Sequence, residues 1–107
     1  MSFRKLDLAT AALARELAAR GVRPGDRVGL LLSPGPAYPV LLLSLLRAGA
    51  VAVPISTRLP PAALPDLLRR IGCRRLIGGA DNVTENEAGV EFEDAAGLIS
   101  MASMEYF

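Results

Sequence analysis

Few residues of this 107-residue chain have side chains that could do chemistry. The sequence contains one cysteine, Cys73, and one lysine, Lys5, and it contains no histidine. One thiol without an imidazole excludes a structural zinc site and a Ser-His-Asp or Cys-His mechanism within this chain. A single cysteine cannot form an internal disulfide, which is typical of a reducing cytoplasm. We therefore predict a cytoplasmic protein whose chain holds no catalytic, cofactor-binding or metal-binding residue of its own.

Two loops lie where ligands usually bind in open α/β sheets, directly after predicted strands. The first, Ser33-Pro34-Gly35-Pro36, is neither a dinucleotide fingerprint nor a phosphate loop, and its prolines lack N–H donors. We interpret it as a connecting turn. Thr57 and Arg58 follow the next strand and could meet an anion, but we favour a turn that leads into a helix and leaves the arginine exposed.

The stretch from Gly21 to Pro54 organises the predicted fold. Its pattern indicates a buried strand at Arg27–Leu32, an apolar helix at Val40–Leu46 and a β-branched strand at Ala50–Ile55. These three elements form one right-handed βαβ crossover. Almost every face of the central helix is apolar, so we expect it to lie between the sheet and another layer.

Turn signals define the limits of these elements. Pro24-Gly25 fits a type II turn and Pro39 fits the first turn of a helix. Gly21, Gly49 and Gly72 stand where helices stop.

Three further elements are predicted to flank the crossover. An amphipathic helix around Leu6–Leu17 precedes it and ends at Arg20 or Gly21. A third helix begins after Pro60-Pro61, with leucines and an isoleucine facing inward, and the strand Arg75–Gly78 follows it. The inward residues of the third helix are Leu64, Leu67, Leu68 and Ile71. The fold class is thus α/β, a three-layer piece with a short, mostly parallel sheet of about three strands (βαβαβ).

Residues 81–107 differ in character from residues 1–80. They are acidic and loosely patterned, with one candidate edge strand at Val90–Glu93, and Leu98–Phe107 fits either a helix or a strand. Four large apolar residues near the end indicate a missing neighbour. They are Met101, Met104, Tyr106 and Phe107. We expect an N-terminal α/β subdomain at 1–80 and an acidic tail or linker at 81–107, together a partial domain of a larger enzyme.

Charge is distributed unevenly between these two parts. Residues 1–80 carry all 12 Lys and Arg against four acids, whereas residues 81–107 carry seven acids and no base. The acidic tail either pairs with the basic body or lies against something else. The arginines are scattered and have few aromatic neighbours, which argues against nucleic acid. The apolar run Val40–Leu46 is too short to cross a membrane.

The sequence of residues 2–79 resembles the N-terminal region of adenylate-forming (AMP-binding) enzymes. This superfamily includes acyl-CoA synthetases, firefly luciferase and nonribosomal peptide adenylation domains. The resemblance rests on an ordered set of segments with suitable gaps. These segments are Ser2–Leu6, Leu13–Leu17, Gly21–Val28, Leu45–Ile55 and Arg58–Pro60. The segment Pro54–Pro60 and the Leu-rich helix after it resemble o-succinylbenzoate-CoA ligases of menaquinone synthesis.

The resemblance implies a two-step reaction, in which ATP and a carboxylate form an acyl-adenylate and a thiol then takes the acyl group. It implies ATP, magnesium and CoA for the full-length enzyme. The family's phosphate loop, ribose-binding aspartate and catalytic lysine have no counterpart in this sequence, so no site residue is transferred to it. The chain is then an N-terminal structural portion that is inactive alone, with the remainder of the same polypeptide as its partner. The alternative is a stand-alone α/β interaction module, such as a homodimer formed through the apolar tail.

Overall fold

The computed structural model describes the backbone of residues 2–79 and 90–106 and the side chains of residues 2–79 and 90–101. The helices are α1 (Phe3–Ala19), α2 (Ala37–Arg47), α3 (Leu64–Ile71) and α4 (Ala95–Tyr106). The strands are β1 (Arg27–Leu31), β2 (Val51–Pro54), β3 (Arg75–Gly78) and β4 (Glu91–Asp94). A single 3-10 turn at Pro61–Ala63 leads into α3.

The strands form one parallel sheet in the order β2-β1-β3-β4. Gly29 lies opposite Val53 on one side and Leu76 on the other, so β1 is a central strand. The predicted α/β class and parallel pairing are confirmed. The sheet has four strands where the sequence predicts about three, because β4 pairs with β3 along its whole length.

Helices cover both faces of the sheet, which confirms the three-layer arrangement. Val28 and Leu30 of β1 point into one core, which is shared by α1, α2 and α4. Leu31 belongs to a second core, on the face covered by α3. The alternation follows from the two-residue period of a strand. The predicted inward face of α3 is confirmed, because Leu64 and Leu68 are buried there.

Local signals define several of the element boundaries. Three elements differ from their predicted bounds: β1 ends at Leu31 rather than Leu32, β2 spans Val51–Pro54 rather than Ala50–Ile55, and α2 spans Ala37–Arg47 rather than Val40–Leu46. The Asp26 N–H donates to the Arg23 carbonyl at 3.0 Å, which closes the turn at Pro24-Gly25, and Gly25 has a φ of 88°. Pro39 lies in the first turn of α2. The first helix begins after Ser2, whose hydroxyl accepts the Lys5 N–H at 3.1 Å as an N-cap.

Gly72 ends α3 in the left-handed conformation, at φ 69° and ψ 29°. A Cβ there would be strained by this backbone conformation and would lie 3.2 Å from Nη1 of Arg27. We expect Gly72→Ala to lower the free energy of unfolding by about 1 kcal/mol, measured by urea denaturation. Gly35→Ala is the matched control, because its added Cβ would meet only the Ser33 carbonyl oxygen, at 4.0 Å. Equal, small effects of both changes would contradict the cap.

The region after residue 90 is more regular than the sequence indicates. The candidate strand at Val90–Glu93 is confirmed as the edge strand β4, displaced by one residue. The open choice between helix and strand at Leu98–Phe107 resolves as helix α4, which begins at Ala95. Ala95 and Leu98 are buried in the same core as α1 and α2. The division at residue 80 stays a prediction, and the side chains of Met104, Tyr106 and Phe107 lie outside those described.

None of the helices within residues 2–79 and 90–106 has the length and apolarity needed to cross a bilayer.

Candidate functional site

The carboxyl end of β1 is the point where ligands would be expected in a sheet of this topology. The helices that follow β1 and β2 pack on opposite faces, which makes this a topological switch point. The loop Ser33–Pro36 lies here and is exposed, and the Gly35 carbonyl accepts the Tyr38 N–H at 3.2 Å. This loop is a turn that leads into α2.

Thr57 and Arg58 lie at the carboxyl end of β2 and are both exposed. The Ser56 hydroxyl accepts the Arg58 N–H at 3.1 Å, and the Ser56 carbonyl accepts the Leu59 N–H at 3.2 Å. These bonds form a tight turn that continues into the 3-10 turn before α3. The geometry agrees with a connecting role for both residues.

Cys73 is buried beneath α3, among Leu68, Leu76 and Val90. Burial raises the pKa of its thiol, although the charge of Arg27 opposes this shift. At a given pH, less of the thiol is then present as the reactive thiolate. Such a cysteine has the character of a core residue.

We therefore expect Cys73 to react with iodoacetamide at pH 8 at least about 10-fold more slowly in the native protein than in 6 M guanidinium. Mass spectrometry over time gives both rates. A native rate equal to the denatured rate would show that the thiol is accessible, which would contradict its placement in the core.

An ion cluster joins the edge strand to the rest of the fold. Glu93 of β4 accepts from Arg20 Nη1 at 2.6 Å and from Arg75 Nη1 at 2.7 Å. Arg20 also donates from its Nε to Glu16 at 2.9 Å. The pKa of its guanidinium is raised, mainly by the hydrogen bond to Glu16 and next by the one to Glu93. This cluster was not predicted residue by residue. The uneven charge distribution was its signal, and for Glu93 the acidic segment does pair with the basic body.

A second unpredicted feature is an apolar groove of about 470 Å³ between α1 and α2. Its apolar walls are Phe3 and Leu6 of α1 and Leu43 and Leu46 of α2. We call it the α1–α2 groove.

Its polar residues, Asp7, Thr10 and Arg47, are already partnered with one another or with the backbone. Arg47 forms an ion pair with Asp7, and the Thr10 hydroxyl donates to the Leu6 carbonyl at 2.9 Å. The groove therefore offers an apolar surface rather than a reactive site. The signal in the sequence was the helix that is apolar on nearly all faces.

The described residues contain no group of three or more His, Cys, Asp or Glu that could hold a metal ion. The sequence predicts no catalytic, cofactor-binding or metal-binding residue in this chain, because none was transferred from the family, so there is no such residue to locate in the structure.

Comparison with known proteins shows which family shares this sequence and this fold. Residues 1–104 match the family described as "AMP-binding enzyme". Nonribosomal peptide synthetase 8 of Aspergillus fumigatus is 34% identical over 88 residues, which cover 82% of this chain and 1% of that protein. Feruloyl-CoA synthase of an Amycolatopsis species is 42% identical over 77 residues, which cover 72% of this chain and 16% of that protein.

Among solved structures, this fold resembles the Klebsiella oxytoca NpsA N-terminal subdomain in complex with 3-hydroxyanthranilyl-AMSN. The TM-score is 0.84 at 26% identity, and the match covers 94% of this chain and 25% of that one. The chain thus spans less than a fifth of either curated relative and a quarter of the solved subdomain. Because the family match extends over nearly the whole sequence, this chain belongs to the AMP-binding enzyme family, and its fold is that found in the N-terminal subdomain of adenylate-forming enzymes.

Proposed function

We propose that this chain is the N-terminal structural portion of an ATP-dependent acid–thiol ligase. In the complete enzyme a carboxylate attacks the α-phosphorus of ATP to give an acyl-adenylate and pyrophosphate, and a thiol then displaces AMP to give a thioester. The observation that carries the proposal is the family match over residues 1–104.

The chain's own role in this proposal is architectural. Its central strand β1 is buried on both faces, and three helices cover one of them. Such a unit can support a neighbouring site rigidly, and the described residues bring no nucleophile or acid–base pair to one place. We therefore propose that residues 1–107 are inactive alone. ATP, magnesium and CoA would bind to other parts of a longer cytoplasmic polypeptide.

We propose an aromatic carboxylate as the acid. Feruloyl-CoA synthase, by its name, acts on an aromatic acid, and the NpsA structure contains a 3-hydroxyanthranilyl ligand. The resemblance of Pro54–Pro60 to o-succinylbenzoate-CoA ligases supports the same class, since o-succinylbenzoate also contains an aromatic ring. Among aromatic acids, o-succinylbenzoate is the substrate that we would test first. CoA is the proposed acceptor thiol.

The test begins with the reading frame beyond the codon for Phe107. The complete polypeptide and residues 1–107 are each assayed for acid-dependent pyrophosphate release with o-succinylbenzoate, hydroxybenzoates, ferulate, fatty acids and amino acids. We expect release by the complete polypeptide with an aryl acid and none by residues 1–107. Turnover by residues 1–107 would overturn the architectural role, and preference for a fatty or amino acid would overturn the substrate class. A stop codon directly after Phe107 would instead favour the interaction module.

A further inference from the structure

Four exposed arginines lie together where α3 ends and the chain enters β3. Residues 69–74 read Arg-Arg-Ile-Gly-Cys-Arg, and the fourth arginine is the first residue of β1. The side chains of Arg69 and Arg70 are 60% and 77% exposed, and Arg27 and Arg74 are exposed as well. We call this group the α3 arginine patch, which consists of Arg27, Arg69, Arg70 and Arg74.

The tertiary structure brings Arg27 next to the other three arginines. Its Nη1 donates to the carbonyl of Ile71, the last residue of α3, at 2.8 Å. A Cβ added to Gly72 would lie 3.2 Å from the same nitrogen. Arg27 and Arg74 each directly precede the first paired residues of β1 and β3, whose backbones run about 5 Å apart. The four guanidinium groups therefore share one surface at the amino edge of the sheet.

The negative charge on this surface is too small to neutralise the patch. Asp66 of α3 lies 3.8 Å from Arg69 and 3.1 Å from Arg70. The carboxyl end of a helix adds about half a negative charge through its dipole. Among the residues that the structure describes, the four arginines form no ion pair except those with Asp66. Four positive charges thus face one carboxylate and the end of one helix.

Two further acids near the amino edge are directed elsewhere. The carboxylate of Asp26 accepts the backbone N–H of Arg23 at 2.8 Å, within its own turn. Glu91 is two residues before Glu93 in β4, so both side chains emerge on the face of the sheet where Glu93 meets Arg20 at the end of α1. The α3 side of the edge keeps its excess of positive charge, which an anion from outside the chain would balance.

The form of the patch favours several carboxylates on one chain. A guanidinium group is a planar fork that pairs with a carboxylate through two hydrogen bonds. Because a single exposed ion pair contributes little, an anion held at this open surface must engage several arginines at once. Residues 23–29 and 64–76, which form this surface, contain no aromatic side chain on which a nucleic-acid base could stack.

We propose that the α3 arginine patch is a docking surface for an acidic protein segment rich in Asp or Glu. Charge complementarity is the basis of recognition, so the encounter should be fast and sensitive to salt. The proposal goes beyond the proposed ligase function and does not depend on it, because no step of the ligase reaction involves these four arginines.

The experiment measures binding of a fluorescein-labelled octaglutamate peptide to the complete polypeptide by fluorescence anisotropy at low salt. One variant combines Arg70→Gln and Arg74→Gln in the patch. The matched control combines Arg4→Gln and Arg15→Gln, which are exposed positions of α1 outside the patch, so both variants lose the same charge. Circular dichroism and the urea midpoint establish that each variant folds as the parent does.

We expect the Kd of the patch variant to rise about 10-fold, because two exposed charge pairs together contribute roughly that much. Arg70→Gln alone should give about 3-fold, and the control variant less than about 2-fold. Equal losses in the patch and control variants would show that net charge attracts the peptide, which would overturn the proposal. Absence of binding by the parent at low salt would also overturn it. Tighter binding of a uridine homopolymer RNA, weakened by the same patch variant, would identify nucleic acid as the partner instead.

Discussion

Replacing Leu98 with alanine is expected to lower the free energy of unfolding by about 3 kcal/mol, within the range for a leucine removed from a packed core. Leu98 lies on α4 and has no exposed surface. It belongs to the core that α1 and α2 share, so its loss leaves a cavity between helices from both ends of the chain. Urea denaturation followed by circular dichroism gives the difference.

The control is Leu8→Ala, the same substitution at an exposed position of α1, which should cost less than about 1 kcal/mol. If both changes had the same small effect, α4 would not be part of the core, and the acidic region would be the loose tail that its composition indicates.

Replacing Glu93 with glutamine is expected to cost about 3 kcal/mol, because breaking a buried ion pair leaves charges without compensation. The Glu93 and Arg75 side chains are only 11% and 14% exposed. Arg20 also contacts this carboxylate, through its other oxygen. The neutral amide keeps the shape of the side chain but cannot balance two guanidinium groups. Denaturant titration at pH 7 and low salt measures the loss.

Glu16→Gln provides the comparison on the same arginine. Glu16 pairs with Arg20 within one helix and both side chains are about one third exposed, so this change should cost no more than about 0.5 kcal/mol. A cost for Glu93→Gln as small as that for Glu16→Gln would mean that the cluster is screened by water and does not hold β4 in place.

Together these two variants test whether the end of the chain is built into the sheet. Leu98 reports on the packing of α4, and Glu93 reports on the attachment of β4 through charge. A loss of stability in only one of the two variants would mean that β4 and α4 are attached to the fold independently. Loss in both is what a single cooperative unit requires.

The elements between Phe3 and Gly78 were predictable because their signals are local. Gly72 accepts a positive φ, Pro39 fits a first helical turn, and the run Val28–Leu31 requires burial on both faces. Each signal acts through its own backbone or its immediate neighbours, so no knowledge of the rest of the fold is needed. The strand β3 was predicted with the bounds that the structure shows.

The candidate site could be predicted only in part. The all-round apolar character of α2 indicated a further layer, but the structure alone identifies Leu43 and Leu46 as the exposed side and Phe3 as the opposite wall. The choice between inner and outer faces depends on where the sheet lies, which a helical pattern without a polar side does not state. No catalytic or ligand-binding residue could be predicted, since the family's motifs are absent from this sequence.

By itself the sequence determined the family, the α/β class, the parallel crossover and the absence of histidine-dependent chemistry, because each depends on residue types and spacings along the chain. The sequence also indicated an edge strand at Val90–Glu93, but the tertiary structure alone decided that this strand pairs with β3 and that residues 95–106 form a helix. The acidic strand Glu91–Asp94 has weak propensity of its own, and it is held by pairing with β3 and by Arg20, 73 positions away from Glu93. Contacts over such distances depend on how the whole sheet is assembled, so no local pattern could have revealed them.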